Sequence, residues 1–186
     1  LRVIKKDSDT KQTVLVPNAE FKIFNLDKNE YVTQYTTYPS KVKHTSFFTD
    51  EDGDLILPEA LKIGNYRIEE VKAPFGYVVN DNYINISVDT DTAFETDGDT
   101  NDAIITVEYS DAPAVGELTV EKKGEVLDGF KGGLFANSED KEFVYKEGSL
   151  AGAVFKVYAA EDIFTADNQK DADGNRIKYY SKGDLV

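Results

Sequence analysis

Apolar and polar residues alternate along much of the chain. Leu1-Arg2-Val3-Ile4-Lys5, Tyr66-Arg67-Ile68-Glu69-Glu70 and Tyr83-Ile84-Asn85-Ile86-Ser87-Val88 each place an apolar side chain at every second position, as do Ile105-Thr106-Val107-Glu108-Tyr109 and Leu118-Thr119-Val120. Period two marks a strand with one buried face. Turn-forming clusters separate these runs: Asp50-Glu51-Asp52-Gly53-Asp54, Ile63-Gly64-Asn65, Asp97-Gly98-Asp99 and Asp171-Ala172-Asp173-Gly174-Asn175. Helical periodicity is confined to a weak stretch at Pro58 to Leu61. Short strands with frequent turns predict an all-β sandwich.

A domain boundary is expected at Asp111-Ala112-Pro113-Ala114-Val115-Gly116, which follows one strand pattern and precedes another. The two sides repeat each other. LRVIKKD (Leu1 to Asp7) matches LTVEKKG (Leu118 to Gly124), and VPNAEFKIF (Val16 to Phe24) matches LAGAVFKVY (Leu150 to Tyr158). The motifs lie farther apart in the second copy. The extra residues fall in the polar, Gly-rich stretch Asp128 to Gly148, read as an insertion forming a loop or added hairpin. Residues 1–113 are thus expected to be one complete domain. Residues 114–186 read as the N-terminal part of a second, longer one, cut before its last strand. The chain reads as a fragment or processed form, with signal and anchor outside it.

Composition narrows the chemistry. With no Cys and one His (His44), disulfides, thiolate sites and multi-histidine metal sites are excluded. A net charge of -14 argues against a nucleic-acid surface. The apolar runs are too short to span a membrane. No nucleophile–base pair or phosphate loop points to an enzyme.

The motif order resembles a Cna protein B-type (SpaA-like, prealbumin-like) domain, a repeat of Gram-positive surface adhesins and pilins. The specific part is LPEALKIGNYRIEEVKAPFGY (Leu57 to Tyr77), similar to the family run G-x-Y…E…A-P-x-G-Y. LRVIKKD, NAEFKIF and the closing AIITVEYSDAP (Ala103 to Pro113) support it. The resemblance implies tandem Greek-key β-sandwich (prealbumin/Ig-like) domains without a cofactor. It also implies an intramolecular isopeptide bond between a first-strand Lys and a last-strand Asn or Asp, promoted by a Glu. The matching positions are Lys5, Asp111 and Glu70. The family more often uses Asn as the partner, and Asn101, which precedes the last strand, is the alternative. In the second copy Lys122 matches Lys5 and Lys123 matches Lys6. No partner is assignable there, so Lys122 is expected to be unreacted or bonded to a group outside these residues.

Strand parity supports the same three positions. Lys5 continues the series Leu1, Val3; Glu70 continues Tyr66, Ile68; and Asp111 continues Ile105, Val107, Tyr109. Parity aims one amine and two carboxyls into the core, where charge must be paired or neutral. Desolvation favours the neutral forms of both group types, and a neutral amine beside a carboxylic acid can condense. The alternative is that these are ordinary strand-end charges, solvated or salt-bridged.

Other signals are weaker. The Asp/Gly loops offer oxygen ligands but lack the twelve-residue calcium loop, so turns explain them. Asn85-Ile86-Ser87 fits a glycosylation pattern within a strand. Tyr31, Tyr35, Tyr38, Phe47 and Phe48 crowd around His44, and this segment is where a binding surface is first expected. His44 itself reads as a surface residue. The expected function is a structural stalk module of a cell-wall-anchored surface protein or pilus, with adjacent repeats as partners. The alternative is an adhesin domain recognising host extracellular matrix protein or glycan.

Overall fold

The computed structural model describes residues 1–92, 94–96, 103–132 and 142–186. The turn at 97–99, Asn101 and the middle of the 128–148 insertion (133–141) lie outside the described residues. Strands account for the regular structure: β1 (Arg2–Asp7), β2 (Glu20–Asn25), β3 (Glu30–Tyr31), β4 (Gln34–Thr36), β5 (Val42–His44), β6 (Phe47–Phe48), β7 (Asp54–Ile56) and β8 (Gly64–Lys72). They continue as β9 (Ile84–Val88), β10 (Glu95–Thr96), β11 (Ala103–Ile104), β12 (Thr106–Asp111), β13 (Lys123–Lys131), β14 (Glu142–Ser149), β15 (Ile163–Phe164) and β16 (Lys178–Tyr180).

Two sheets face each other in the first part of the chain. One has the order β12-β1-β7; the other is β3-β2-β8-β9, with β6 also pairing β2. β1 pairs β12 in parallel and β7 in antiparallel fashion. Their inward positions meet in one core: Val3, Leu55 and Tyr109 from the first sheet, and Phe21, Ile23, Phe47, Tyr66, Ile68 and Val88 from the second. Strict alternation produces this. In β1 and β2 every second residue is buried, so each strand has one apolar face to cover.

The Asp50–Asp54 turn shows why its residue types are needed. Asp50 Oδ1 accepts from the amides of Asp52 (3.0 Å) and Asp54 (3.1 Å). Gly53 has φ 77°, and a Cβ there would sit 2.4 Å from the Val14 carbonyl oxygen. Only glycine fits this approach. Gly53 then accepts the Lys5 amide at 2.9 Å, so the turn helps anchor β1 beside its lysine. Asp171 accepts from Asp173 and Asn175 in the same pattern.

Two periodic stretches of the sequence form no regular element. Pro58 to Leu61 is irregular. Glu59 is instead tied by its backbone to the Gln34 side chain, at 2.8 Å and 3.0 Å, which competes with a helical turn. Leu118 to Val120 is irregular too, with Leu118 and Val120 exposed. Alternation describes a face, but a strand also needs a neighbour, and none lies beside this segment among the described residues. The segment matching β2, Leu150 to Tyr158, likewise forms no ladder: Tyr158 makes an isolated bridge to Leu185, Leu150 donates to the Lys122 carbonyl and Val157 accepts from Val186. The edges of the 128–148 insertion extend the hairpin β13–β14, with a bulge between Leu127 and Gly129.

Part of the chain beyond residue 150 packs on the first sandwich. Leu15 donates its amide to the Asp167 carbonyl (2.8 Å), Gln169 Nε2 donates to the Thr13 carbonyl (2.7 Å), and Ala166 packs on Val14, Ala73 and Tyr77. This holds the Thr13–Leu15 segment along the end of β1, where Val14 donates to the Lys5 carbonyl at 2.9 Å.

Candidate functional site

β1, β8 and β12 each deliver one side chain to the same buried point. Lys5 is 0% exposed, Asp111 1% and Glu70 7%. In the parallel ladder Lys5 lies opposite Tyr109, and Asp7 opposite Asp111. Lys5 therefore reaches diagonally along one sheet face to Asp111, while Glu70 comes across from the other sheet, where it is registered with Phe21. The Lys5 Nζ lies 2.7 Å from Glu70 Oε1 and in direct contact with Asp111 Oδ1.

The surroundings are aromatic. Phe21 and Tyr109 meet edge to face at 5.1 Å, and Lys5 Nζ lies 4.7 Å from the Tyr109 ring centre and 5.7 Å from that of Phe21. Such a wall excludes water, and its ring faces can stabilise a desolvated cation by about 2 kcal/mol. The Lys5 amine, Glu70 Oε1 and both Asp111 oxygens have no aligned hydrogen-bond partner among the described residues. The three groups thus face one another in ion-pair contact, with little else to satisfy them. Burial pushes the Asp111 carboxyl up to about 7, against the lowering effect of Lys5; the Glu70 charge adds to the rise. Burial therefore favours the protonated acid at Asp111 far more than at an exposed carboxyl.

A second buried carboxylate lies next to this centre. Asp7 is fully buried and accepts from the Tyr77 hydroxyl (2.8 Å) and from the amides of Asp9 (2.7 Å) and Thr10 (2.9 Å). Tyr77 ends the A-P-x-G-Y run, and burial and the Asp7 bond both raise its pKa. Asp7 continues the parity of Val3 and Lys5, but its place beside a turn masks its burial in the sequence. Glu69 departs from parity: it faces outward yet is buried, bonded by the Tyr31 hydroxyl (2.9 Å) and Arg67 Nε (2.7 Å).

The remaining candidates lie apart from this centre. Lys122 is exposed, and its carbonyl accepts the Leu150 amide at 3.0 Å. Lys123 contacts Glu121 at 3.1 Å on the surface. His44 Nε2 lies 3.0 Å from the Thr36 hydroxyl in the β4–β5 hairpin, where Tyr38 is exposed. Among the described residues no group of three or more His, Cys, Asp or Glu is placed to hold a metal ion.

The family model for SpaA, a prealbumin-like fold domain, matches residues 1–103, more than half of the chain. The chain belongs to this family. The matched span of the SpaA-type domain contains Lys5 and Glu70 and ends before Asp111. Solved structures similar to it include the group B streptococcus pilus 2b backbone protein (24% identical, covering 60% of this chain and 40% of that one, TM-score 0.45). Others are the shaft pilin SpaA of Lactobacillus rhamnosus GG (21%, 63% and 48%, TM-score 0.42) and the major pilin subunit of Bacillus cereus (19%, 69% and 31%, TM-score 0.42). The chain spans less than half the length of each. No curated protein matches it. No helix among the described residues is long and apolar enough to cross a membrane.

Proposed function

We propose that this SpaA-type chain is a structural module of a Gram-positive surface pilus or adhesin, closed by an autocatalytic amide bond between Lys5 and Asp111. The observation that carries this reading is the buried contact of Lys5 with Asp111 and Glu70, in which the reacting atoms lack other aligned partners. An ordinary structural ion pair is usually satisfied by further hydrogen bonds, because burying charge is costly.

The reaction is a condensation. The neutral Lys5 Nζ attacks Cγ of the protonated Asp111 carboxyl, the Nζ–Cγ bond forms, a Cγ–O bond breaks, and one water leaves. Glu70 takes the proton lost by the amine and returns it to the departing oxygen. The fold supplies proximity, an effect worth up to roughly 7–11 kcal/mol in well-oriented intramolecular reactions. Each molecule reacts once, so the module is not a turnover enzyme and needs no cofactor.

Residues 114–186 carry the start of a second domain of the same type in this reading, with Lys122 in the place of Lys5. The sequence repeat supports this. Neighbouring modules are then the main partners, and the location is the outside of the cell wall.

The test is the intact mass of the purified chain beside Glu70→Ala. The wild type should be lighter than its formula by one water, about 18 Da, and the variant should not. Peptide mapping should recover Lys5 and Asp111 in one branched fragment. A full-formula mass for the wild type would overturn the reading.

A further inference from the structure

Strand ladders fix spacing within a sheet, not between two facing sheets. The proposed reaction nonetheless needs Glu70 from one sheet aligned with Lys5 and Asp111 from the other. Asn80, in the connection between β8 and β9, bonds to both sides. Its amide donates to Glu70 Oε2 at 3.1 Å. Its side-chain Nδ2 donates to the carbonyl of Ser110, the residue before Asp111, at 2.7 Å. Its carbonyl lies 2.9 Å from the Tyr109 hydroxyl, which it shares with the Asn82 carbonyl, and the Tyr109 ring lies beside the Lys5 amine.

The surrounding connection follows the same track. Val78 donates to the Ala112 carbonyl (3.0 Å), Ala114 donates to the Gly76 carbonyl (2.8 Å), and Tyr77 bridges Pro113. Asn80 continues this run next to the reacting centre. With Glu70 Oε2 held by the Asn80 amide, Oε1 is the oxygen turned to Lys5.

We propose that Asn80 is the positioning residue of the cross-linking reaction, locking Glu70 to the strand that carries Asp111. The inference rests on the cross-link reading above. Asn80 touches no reacting atom and acts through Glu70, Tyr109 and Ser110. Its Oδ1 has a separate, local task, accepting from the Asn82 amide (3.0 Å) and Asn82 Nδ2 (2.8 Å). The two tasks can be separated by substitution. Asn80→Asp keeps the shape and the acceptor for the turn but loses the donor to Ser110. Asn82→Ala removes the Nδ2 contact and leaves the Ser110 bond alone.

The experiment follows the full chain after pulse-labelled cell-free synthesis, scoring with time the fraction lighter by about 18 Da. Asn80→Ala and Asn80→Asp should cross-link roughly ten-fold or more slowly than wild type, since small misplacements of reacting groups have large rate effects. Asn82→Ala should stay within roughly two-fold. Urea midpoints of the same changes, combined with Lys5→Met so that none can react, report the folded fraction. Slow reaction by Asn80→Asp in a population that is folded supports the proposal, even if Asn80→Ala does not fold. Wild-type kinetics for Asn80→Asp, or slowing matched by lost folded population, would overturn it. A wild type that never loses water would overturn the cross-link reading and this inference together, whereas normal variant kinetics beside a reacting wild type would remove this inference only.

Discussion

Glu70→Gln should fold, fail to cross-link and melt far below the wild type. Gln fills nearly the same volume as Glu70 but cannot pass a proton between amine and carboxyl. Lys5 and Asp111 then remain as a buried pair that is neutral overall, so the site is not left with an uncompensated charge. The difference in stability therefore reports mainly the covalent bond. That bond would close a loop of about 106 residues, and by the chain-entropy relation for cross-links this removes about 4.8 kcal/mol of unfolded-state freedom at 25 °C. A domain of roughly 110 residues unfolds with an entropy near 2.1 cal/mol/K per residue, so Tm should fall by about 20 °C. Scanning calorimetry on both proteins, with intact masses taken from the same samples, measures this. An uncross-linked Glu70→Gln that melts within about 5 °C of the wild type would refute the loop-closure reasoning. A Glu70→Gln chain that still loses a full water would refute the role given to Glu70.

Asp111→Asn should still react, but with ammonia as the leaving group, so its mass deficit becomes about 17 Da instead of about 18 Da; an unreacted variant would count against attack at this carbon. Tyr77→Phe removes a donor from the buried Asp7 carboxylate and should cost about 1.5–3 kcal/mol in urea unfolding, with the mass deficit unchanged. The pH response of unreacted protein follows from Asp111. Burial raises its folded value above its ordinary 3.8, and in Glu70→Gln that burial remains while the Glu70 charge that adds to the rise is gone, so the folded state still holds the proton more tightly and stability should fall as pH rises above about 4. Urea midpoints of Glu70→Gln should show this slope, and Glu70→Gln/Asp111→Asn should lack it; equal slopes would contradict the assignment.

The fold was legible because it depends on period two, whereas the three residues of the central contact were singled out by the family resemblance, with alternation in support. Alternation placed Lys5, Glu70 and Asp111 on inward faces, and the sheets bring those faces together. Asp7 obeyed the same parity but stood next to a turn, where its acceptor role for Asp9 and Thr10 hides its burial. Glu69 was hidden for another reason: its cover comes from Tyr31 and Arg67, and a cross-strand neighbour cannot be read from alternation along one strand. Asn80 carried no periodic signal, since its place depends on how one connection crosses β12. Leu118 to Val120 shows the converse. A pattern suited to a strand does not make one without a partner to bond.

The parallel pairing of β1 with β12 sets how the module meets tension. The two strands point the same way, so the chain enters at one end of the pair and leaves at the other. Pulling along the chain drives them past each other in shear. The register from Arg2–Thr106 to Asp7–Asp111 is then loaded all at once, instead of peeling pair by pair as a hairpin does. Even the unreacted module is arranged to resist extension, and a bond between Lys5 and Asp111 would convert that resistance from many weak contacts into one covalent link.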